Sequence, residues 1–110
     1  MTQATRSDVV RVARAWLGVR WQHQGRNRNG IDCVGLPIVV AWELGISQYD
    51  IIDYGRVPNG ARLQAEMRRQ LDVVRPWNQV GNVVLMRFER TPIHVGIITD
   101  IGLIHAFAGM

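Results

Sequence analysis

The chain has 110 residues, with 13 basic side chains, 9 acidic ones and a single cysteine. This length fits one domain and excludes most two-domain plans, so we treat residues 1–110 as a single domain. Apolar residues make up 47% of the chain and charged residues 20%, which is typical of a globular protein and argues against disorder. One cysteine excludes an internal disulfide, and with it the class of disulfide-stapled secreted miniproteins.

The basic residues are all arginine, and the formal net charge is +4. Such a balance favours anionic surroundings. The arginines are scattered along the chain without a run of five or six like charges, so the sequence does not predict a nucleic-acid partner. Because isolated exposed charges contribute little to stability, we expect most of these arginines to be solvated.

The sequence predicts neither a signal peptide nor a membrane span. Residues 1–6 lack the apolar core of a signal peptide. The longest apolar stretch, residues 34–42, is interrupted by Gly35 and Pro37 and is too short to cross a bilayer. We therefore expect synthesis in the cytoplasm without stable membrane insertion, and delivery by another agent if the protein acts outside the cell.

The N-terminal part predicts a helix followed by a polar loop. Ser7 is placed to cap a helix with Asp8 in its first turn, and Gly18 ends it. One apolar stripe runs along this helix at helical spacing: Val9, Val12, Ala13, Trp16 and Leu17. Residues 19–31 read as a polar loop that contains Trp21 and His23.

A buried helix is predicted next, from about Cys33 to Gly45. Pro37 is compatible only with its first turn, which places Asp32 in a capping position. A loop over residues 46–58 and a third helix over residues 59–71, capped by Asn59, complete the helical part.

The last third of the chain changes to strand periodicity. Strands are predicted over residues 80–88, 93–99 and 103–107, with a tight connection at residues 100–102. Helices followed by sequential strands are the order expected of an α+β domain, in which N-terminal helices pack on a small antiparallel sheet.

Three residues form a candidate catalytic set. Cys33 lies at a predicted helix start, where unpaired backbone N–H groups and the helix dipole are expected to lower the pKa of its thiol. His94 and His105 lie on adjacent predicted strands. A nucleophilic thiol needs a base and a third group that orients the base, and Cys33, His94 and His105 fill these roles in that order.

Plainer interpretations stay open for the same residues. A single cysteine on an apolar helix is commonly an inert small hydrophobe, and a histidine among strands is commonly a core or edge residue. Together with His23, the three residues could instead bind zinc, but the close-pair spacing typical of zinc ligands is absent, so we predict no metal and no cofactor. Asp32 and Gly35, which bracket Cys33, are unusual neighbours for a plain core position.

Four stretches of the chain resemble the NlpC-type family of cell-wall cysteine peptidases. Residues 30–36, GIDCVGL, resemble its G-x-D-C-S-G-L signature, and residues 93–98, IHVGII, resemble its x-H-V-G-I-Y strand. Residues 103–106, LIHA, resemble its x-I-H-A strand, which supplies the third catalytic residue. Upstream, WLG at 16–18 and WQHQGR at 21–26 are similar to the W-L-G-x-P-Y-x-H-Q-G-R run of the phage-borne branch.

The resemblance implies a papain-like α+β fold and hydrolysis of an amide in the peptide stems of peptidoglycan, commonly between D-γ-glutamate and a diamino acid. Cys33 would form a thioester, His94 would act as base and acid, and His105 would orient His94. The backbone N–H of Cys33 would stabilise the oxyanion. The resemblance also assigns Asp32, Trp21 and His23 to substrate binding, with Asp32 holding a free amine unless it is simply a helix cap.

The chain departs from the family pattern at several points. Val34 replaces the serine after the nucleophile, Trp21 replaces a tyrosine, and Val80-Gly81-Asn82 replaces P-G-D. The chain ends five residues after His105, whereas the family usually continues for another strand or two. We therefore expect the C-terminal strands of the family to be absent, truncated or supplied by a partner, and without them a sheet edge would be exposed.

The resulting expectation is a phage or prophage cysteine peptidase that acts at the cell wall as part of a tail, with peptidoglycan stems and other tail proteins as partners. Two alternatives use the same fold. One is a weakly active or inactive structural module of tail assembly, favoured by Val34 and the short C-terminus. The other is an amidase or acyltransferase that uses the same Cys33 and His94 pair.

Overall fold

Within the residues that the structure describes, three helices and two small antiparallel sheets form the predicted α+β arrangement. The computed structural model describes residues 4–56, 59–87 and 93–106. The elements follow in this order: α1 (Arg6–Arg14), β1 (Arg26–Asn27), β2 (Gly30–Ile31), α2 (Gly35–Glu43), α3 (Gly60–Gln70), β3 (Val83–Arg87), β4 (Ile93–Ile98) and β5 (Leu103–Ile104). Strands β1 and β2 form a hairpin, and β3, β4 and β5 form an antiparallel sheet in that order.

Helix α1 is capped by Thr5 and not by Ser7, so the predicted cap is wrong. The Thr5 hydroxyl accepts from the backbone N–H of Asp8, and the Asp8 carboxylate accepts from the backbone N–H of Thr5 at 2.9 Å. This reciprocal capping box satisfies two otherwise unpaired donors, whereas a single cap at Ser7 would satisfy one.

The buried face of α1 agrees with the predicted stripe except at its end. Val12, Ala13 and Trp16 are buried, but Leu17 is 63% exposed and Val10 is buried in addition. The helix ends at Arg14, and the following turn leads to Gly18, whose φ of 89° lies in the left-handed region. Helical periodicity therefore no longer applies at Leu17.

Residues 26–31 form a hairpin where the sequence predicted only a loop. Arg26 pairs with Ile31, Asn27 pairs with Gly30, and the Asn27 side chain accepts from the backbone N–H of Asn29 at 2.9 Å. Two-residue strands carry almost no periodic signal, which is why the pattern of residues 19–31 indicated a loop.

Helix α2 begins at Gly35, two residues later than predicted, so its N-cap position is Val34, which makes no side-chain cap bond; Asp32 precedes that position but still accepts from the first helical N–H. The Asp32 carboxylate accepts from the Gly35 N–H at 2.9 Å, and the Asp32 carbonyl accepts from the Leu36 N–H at 3.1 Å. Cys33 and Val34 therefore lie in the turn that leads into the helix.

The third helix and the sheet lie close to their predicted positions. Asn59 caps α3 by accepting from the Arg62 N–H, as predicted. In the sheet, β5 ends at Ile104, so His105 follows the strand and does not lie within it as predicted. Phe88 and Phe107, the predicted strand ends, fall outside the described residues.

Two apolar clusters form the core. The larger one joins α1, β2, α2, β4 and β5 around Ile97, which is completely buried. The smaller one consists of Cys33, Val34 and Ile38, with Tyr54 and Leu63 packed against them. The cysteine thus lies between the start of α2, the sheet and the segment that leads to α3.

Candidate active site

Cys33 lies in the turn between β2 and α2 and is only 7% exposed. Its thiol takes part in a backbone hydrogen bond with Val95, the residue after His94 on β4. Further backbone hydrogen bonds to the thiol come from Val34 and from Cys33 itself. The sulfur is therefore held against the strand that carries the first predicted catalytic histidine.

Burial raises the pKa of the Cys33 thiol above its ordinary value of 9.0, and the negative charge of Asp32 acts in the same direction. The backbone hydrogen bonds from Val95, Val34 and Cys33 oppose this rise without cancelling it. The expectation of a lowered thiol pKa is thus wrong, because desolvation outweighs the favourable position at the start of the helix. In the resting protein Cys33 is a neutral thiol at pH 7.

The rings of His94 and His105 lie side by side, with centroids 6.3 Å apart and planes inclined by 69°. The antiparallel register of β4 and β5 brings His105 near β4, because Ile97 is opposite Ile104, the residue before His105. Burial lowers the pKa of His94 below 6.5, and the charge of His105 lowers it further. His94 is consequently neutral at pH 7, the form that accepts a proton.

Asp32 is 4% exposed and accepts four hydrogen bonds. Its donors are the Gly35 N–H and Arg26 Nη1 on Oδ1, at 2.9 and 3.0 Å, and the Gln24 N–H and Tyr54 hydroxyl on Oδ2, at 2.8 and 2.7 Å. A carboxylate offers about four acceptor positions, so this one has its full set of partners within the chain.

Arg26 and Tyr54 are the two residues of this site that the sequence interpretation missed. Arg26 was expected on the solvated surface, yet its side chain is 11% exposed. Burial disfavours its charge, but hydrogen bonds with Tyr54 and Asp50 raise the pKa of the guanidinium above its ordinary value. Burial and the hydrogen bond to Asp32 likewise raise the pKa of Tyr54.

The signal for Arg26 was its place at the end of WQHQGR, the stretch similar to the phage-borne branch. Tyr54 lies in an irregular segment, where no periodicity distinguishes a buried hydroxyl from an exposed one.

Trp21 and His23 lie on one aromatic wall beside this network. The rings of Trp21 and His23 stack at 6.5 Å, and His23 meets the Tyr54 ring edge-on at 5.5 Å. The Arg56 guanidinium lies 4.9 Å from the centre of the Trp21 ring. Since Tyr54 bonds to Asp32, the wall runs from the residue before Cys33 out to the exposed Arg56.

Within residues 4–56, 59–87 and 93–106, no group of three or more His, Cys, Asp or Glu side chains is arranged to hold a metal ion. In the same part of the chain, no helix has the length and apolar character needed to cross a membrane. No family model matches the chain, and no curated protein matches it.

Proposed function

We propose that this protein is a cysteine peptidase that hydrolyses an amide bond in the peptide stems of peptidoglycan. The observation that supports this most directly is that three residues far apart in the sequence lie on or next to β4, the central strand of the sheet. The Cys33 thiol bonds to the backbone of Val95, and the ring of the preceding residue, His94, is 6.3 Å from that of His105. A nucleophile, a base and an orienting group are the set that thiol-dependent amide hydrolysis requires.

The charge states of the resting site indicate how the reaction would begin. Because both the Cys33 thiol and the His94 imidazole are neutral at pH 7, the thiol loses its proton to His94 as the sulfur attacks the carbonyl carbon. The bond from sulfur to carbon forms, and the carbonyl electrons move to its oxygen. Backbone N–H groups of the turn, that of Cys33 first, would stabilise this oxyanion.

Collapse of the tetrahedral intermediate breaks the C–N bond, and His94 returns its proton to the leaving amine. Water then attacks the thioester with His94 again as base, which releases the acid and restores the thiol. In this scheme His105 keeps the His94 ring oriented through both steps and does not contact the substrate.

The substrate follows from the resemblance of residues 30–36, 93–98 and 103–106 to cell-wall peptidases, with the bond between D-γ-glutamate and a diamino acid as the first candidate. A net charge of +4 suits an anionic cell wall. The proposal includes delivery in a phage tail, with other tail proteins as partners. Trp21 and His23 are proposed as one wall of the substrate groove.

The test is cleavage of a defined stem peptide that contains the D-γ-glutamyl bond, followed by mass spectrometry. Cys33→Ala and His94→Asn are expected to abolish cleavage, and His105→Asn to reduce it strongly. Arg62→Gln, at an exposed arginine paired with Asp53, is the matched control and should retain full activity. Cleavage that continues in Cys33→Ala contradicts the proposal.

A second candidate is a structural module of tail assembly without catalytic activity. It is favoured by the 7% exposure of Cys33 and by apolar residues that lie exposed after α3. These residues are Leu71, Val73, Val74 and Trp77. Exposed apolar patches are typical of protein interfaces. A folded protein that cleaves no stem peptide, but binds a tail protein through Trp77, would support this candidate.

An amidase or acyltransferase would share the Cys33 thioester. An amidase also uses water as the acceptor and differs in the amide that it cleaves, so a panel of substrates distinguishes it from a peptidase. An acyltransferase passes the acyl group to an amine, so in the presence of added amine it forms a new amide where a peptidase releases the free acid.

A further inference from the structure

The side chain of Arg26 lies in the interior beside residues 32–35, which we call the nucleophile turn because they include Cys33. Its exposed fraction is 11% and that of the Asp32 side chain is 5%, with 3.0 Å between Nη1 and Oδ1. Removing two charges from water is costly, and a buried ion pair forms only when hydrogen bonds satisfy both partners. Such a pair contributes little net stability compared with apolar packing, so its more useful consequence is a fixed geometry.

The hydrogen-bonding capacity of Arg26 is fully used. A guanidinium has five N–H donors, and the structure gives Arg26 five acceptors. The acceptors are Asp50 Oδ1 at 3.0 Å, the Gly25 carbonyl at 2.9 Å, Asp32 Oδ1 at 3.0 Å, the Ile51 carbonyl at 2.8 Å and the Tyr54 hydroxyl at 2.9 Å. These acceptors belong to three segments: the hairpin, residues 50–54 and the nucleophile turn.

The turn is restrained on both sides of Cys33. Before it, Asp32 is held by Arg26 and Tyr54. After it, the Gly35 N–H donates back to Asp32, and a Cβ at Gly35 would lie 2.6 Å from the Gly25 carbonyl oxygen and 2.7 Å from Arg26 Nη1. A side chain at this position would therefore collide with Gly25 and Arg26, and only glycine permits so close an approach.

We infer that Arg26 is a positioning residue for Cys33, because Arg26 holds the nucleophile turn closed through Asp32 and Tyr54. All acceptor positions of the Asp32 carboxylate are then occupied, so none is left for a substrate amine. The inference rests on the proposed function for the role of Cys33 as nucleophile.

The physical consequence of losing Arg26 is local opening. Without the guanidinium, the Asp32 carboxylate is a buried charge without its cation, and water must reach it. The turn that carries Cys33 would then open to solvent while the larger core around Ile97 stays folded. Greater access of reagents to the Cys33 thiol is the direct sign of this opening.

The test measures alkylation of the single cysteine by iodoacetamide in the folded protein at pH 8, beside the free energy of unfolding of each variant. Arg26→Gln is expected to react at least about tenfold faster than the parent, and faster than its globally unfolded fraction accounts for. Arg62→Gln, which also removes an arginine and an ion pair near α3, is expected to react at the parental rate.

The inference is overturned if the alkylation rate of Arg26→Gln is within twofold of the parental rate or lower. It is also overturned if global unfolding fully explains the rate. If Arg26→Gln does not fold, Tyr54→Phe decides, because it removes one bond from Arg26 and one from Asp32, and the same criteria apply. The readout does not depend on peptide cleavage. Failure of the proposed function appears separately, as cleavage that persists in Cys33→Ala.

Discussion

The imidazole rings of His94 and His105 lie 6.3 Å apart, close enough for the charge of His105 to lower the pKa of His94. The larger cause of that lowering is burial. The pKa of His94 therefore has two contributions: burial lowers it most, and the charge of His105 lowers it further.

The first prediction follows from this separation. His105→Asn removes the charge and is expected to raise the pKa of His94 toward, but not up to, 6.5, because burial remains. The acid limb of kcat/KM should move to higher pH by the same amount. NMR titration of the His94 ring measures the shift directly, and an unchanged His94 pKa contradicts the coupling.

The second prediction concerns stability at alkaline pH. The pKa of Cys33 is raised in the folded protein, so the folded state holds a proton that the unfolded state has released above its ordinary pKa of about 9. This stabilisation is complete below pH 9 and is lost as the pH rises through the folded-state pKa. Cys33→Ser, which does not titrate there, should show a flatter decline in the free energy of unfolding between pH 8 and 10.5.

Urea denaturation at several pH values provides the measurement. Each unit of pKa difference corresponds to about 1.4 kcal/mol. Identical slopes for the parent and Cys33→Ser would mean that burial does not shift the thiol pKa.

The third prediction concerns the opposite end of the pH range. His94 has a lowered pKa in the folded protein, so its contribution to stability is present above about pH 6.5 and is lost as the pH falls through the folded-state pKa. His94→Gln should therefore weaken the loss of stability between pH 7 and 5. His23→Gln, which replaces the histidine beside Trp21 and Tyr54, is the comparison variant. Equal acid sensitivity of the parent and His94→Gln contradicts the prediction.

Local signals predicted more of the fold than of the site. Asn59 caps α3 where the sequence places a polar side chain before a helical segment, and β3 and β4 lie within the two segments predicted as strands. Such signals depend on neighbours in the chain. Arg26 and Tyr54 are buried because Asp32 and residues 50–54 contact the hairpin. The residues joined by these contacts are 6 to 28 positions apart in the sequence. No periodicity encodes that meeting.

The thiol pKa shows the same limit. Pro37 predicted that Cys33 lies at the start of a helix, and this position suggested a lowered pKa for the thiol. The deciding quantity is desolvation by the cluster of Val34, Ile38 and Tyr54, which exists only after folding.

The fourth prediction tests the corrected cap of α1. Thr5→Ala removes the side-chain acceptor of the capping box and is expected to lower the free energy of unfolding by about 1 kcal/mol. Ser7→Ala is the matched control, since Ser7 is exposed within the first turn of the helix, and it should change stability by no more than a few tenths of a kcal/mol. A larger loss of stability in Ser7→Ala than in Thr5→Ala would contradict this prediction and support Ser7 as the cap.

The last prediction concerns the closest approach of the nucleophile turn to the hairpin. Gly35→Ala places a methyl group 2.6 Å from the Gly25 carbonyl oxygen and 2.7 Å from Arg26 Nη1, so backbone or guanidinium must move. Overpacking of this kind costs about 1–3 kcal/mol, against a small gain in helix propensity. Gly60→Ala, at the first residue of α3, is the comparison at another helix start, and it is expected to leave stability equal or slightly higher. Urea denaturation measures the free energy of unfolding of both variants. Equal stability of Gly35→Ala and Gly60→Ala would contradict the prediction that a methyl group does not fit at Gly35.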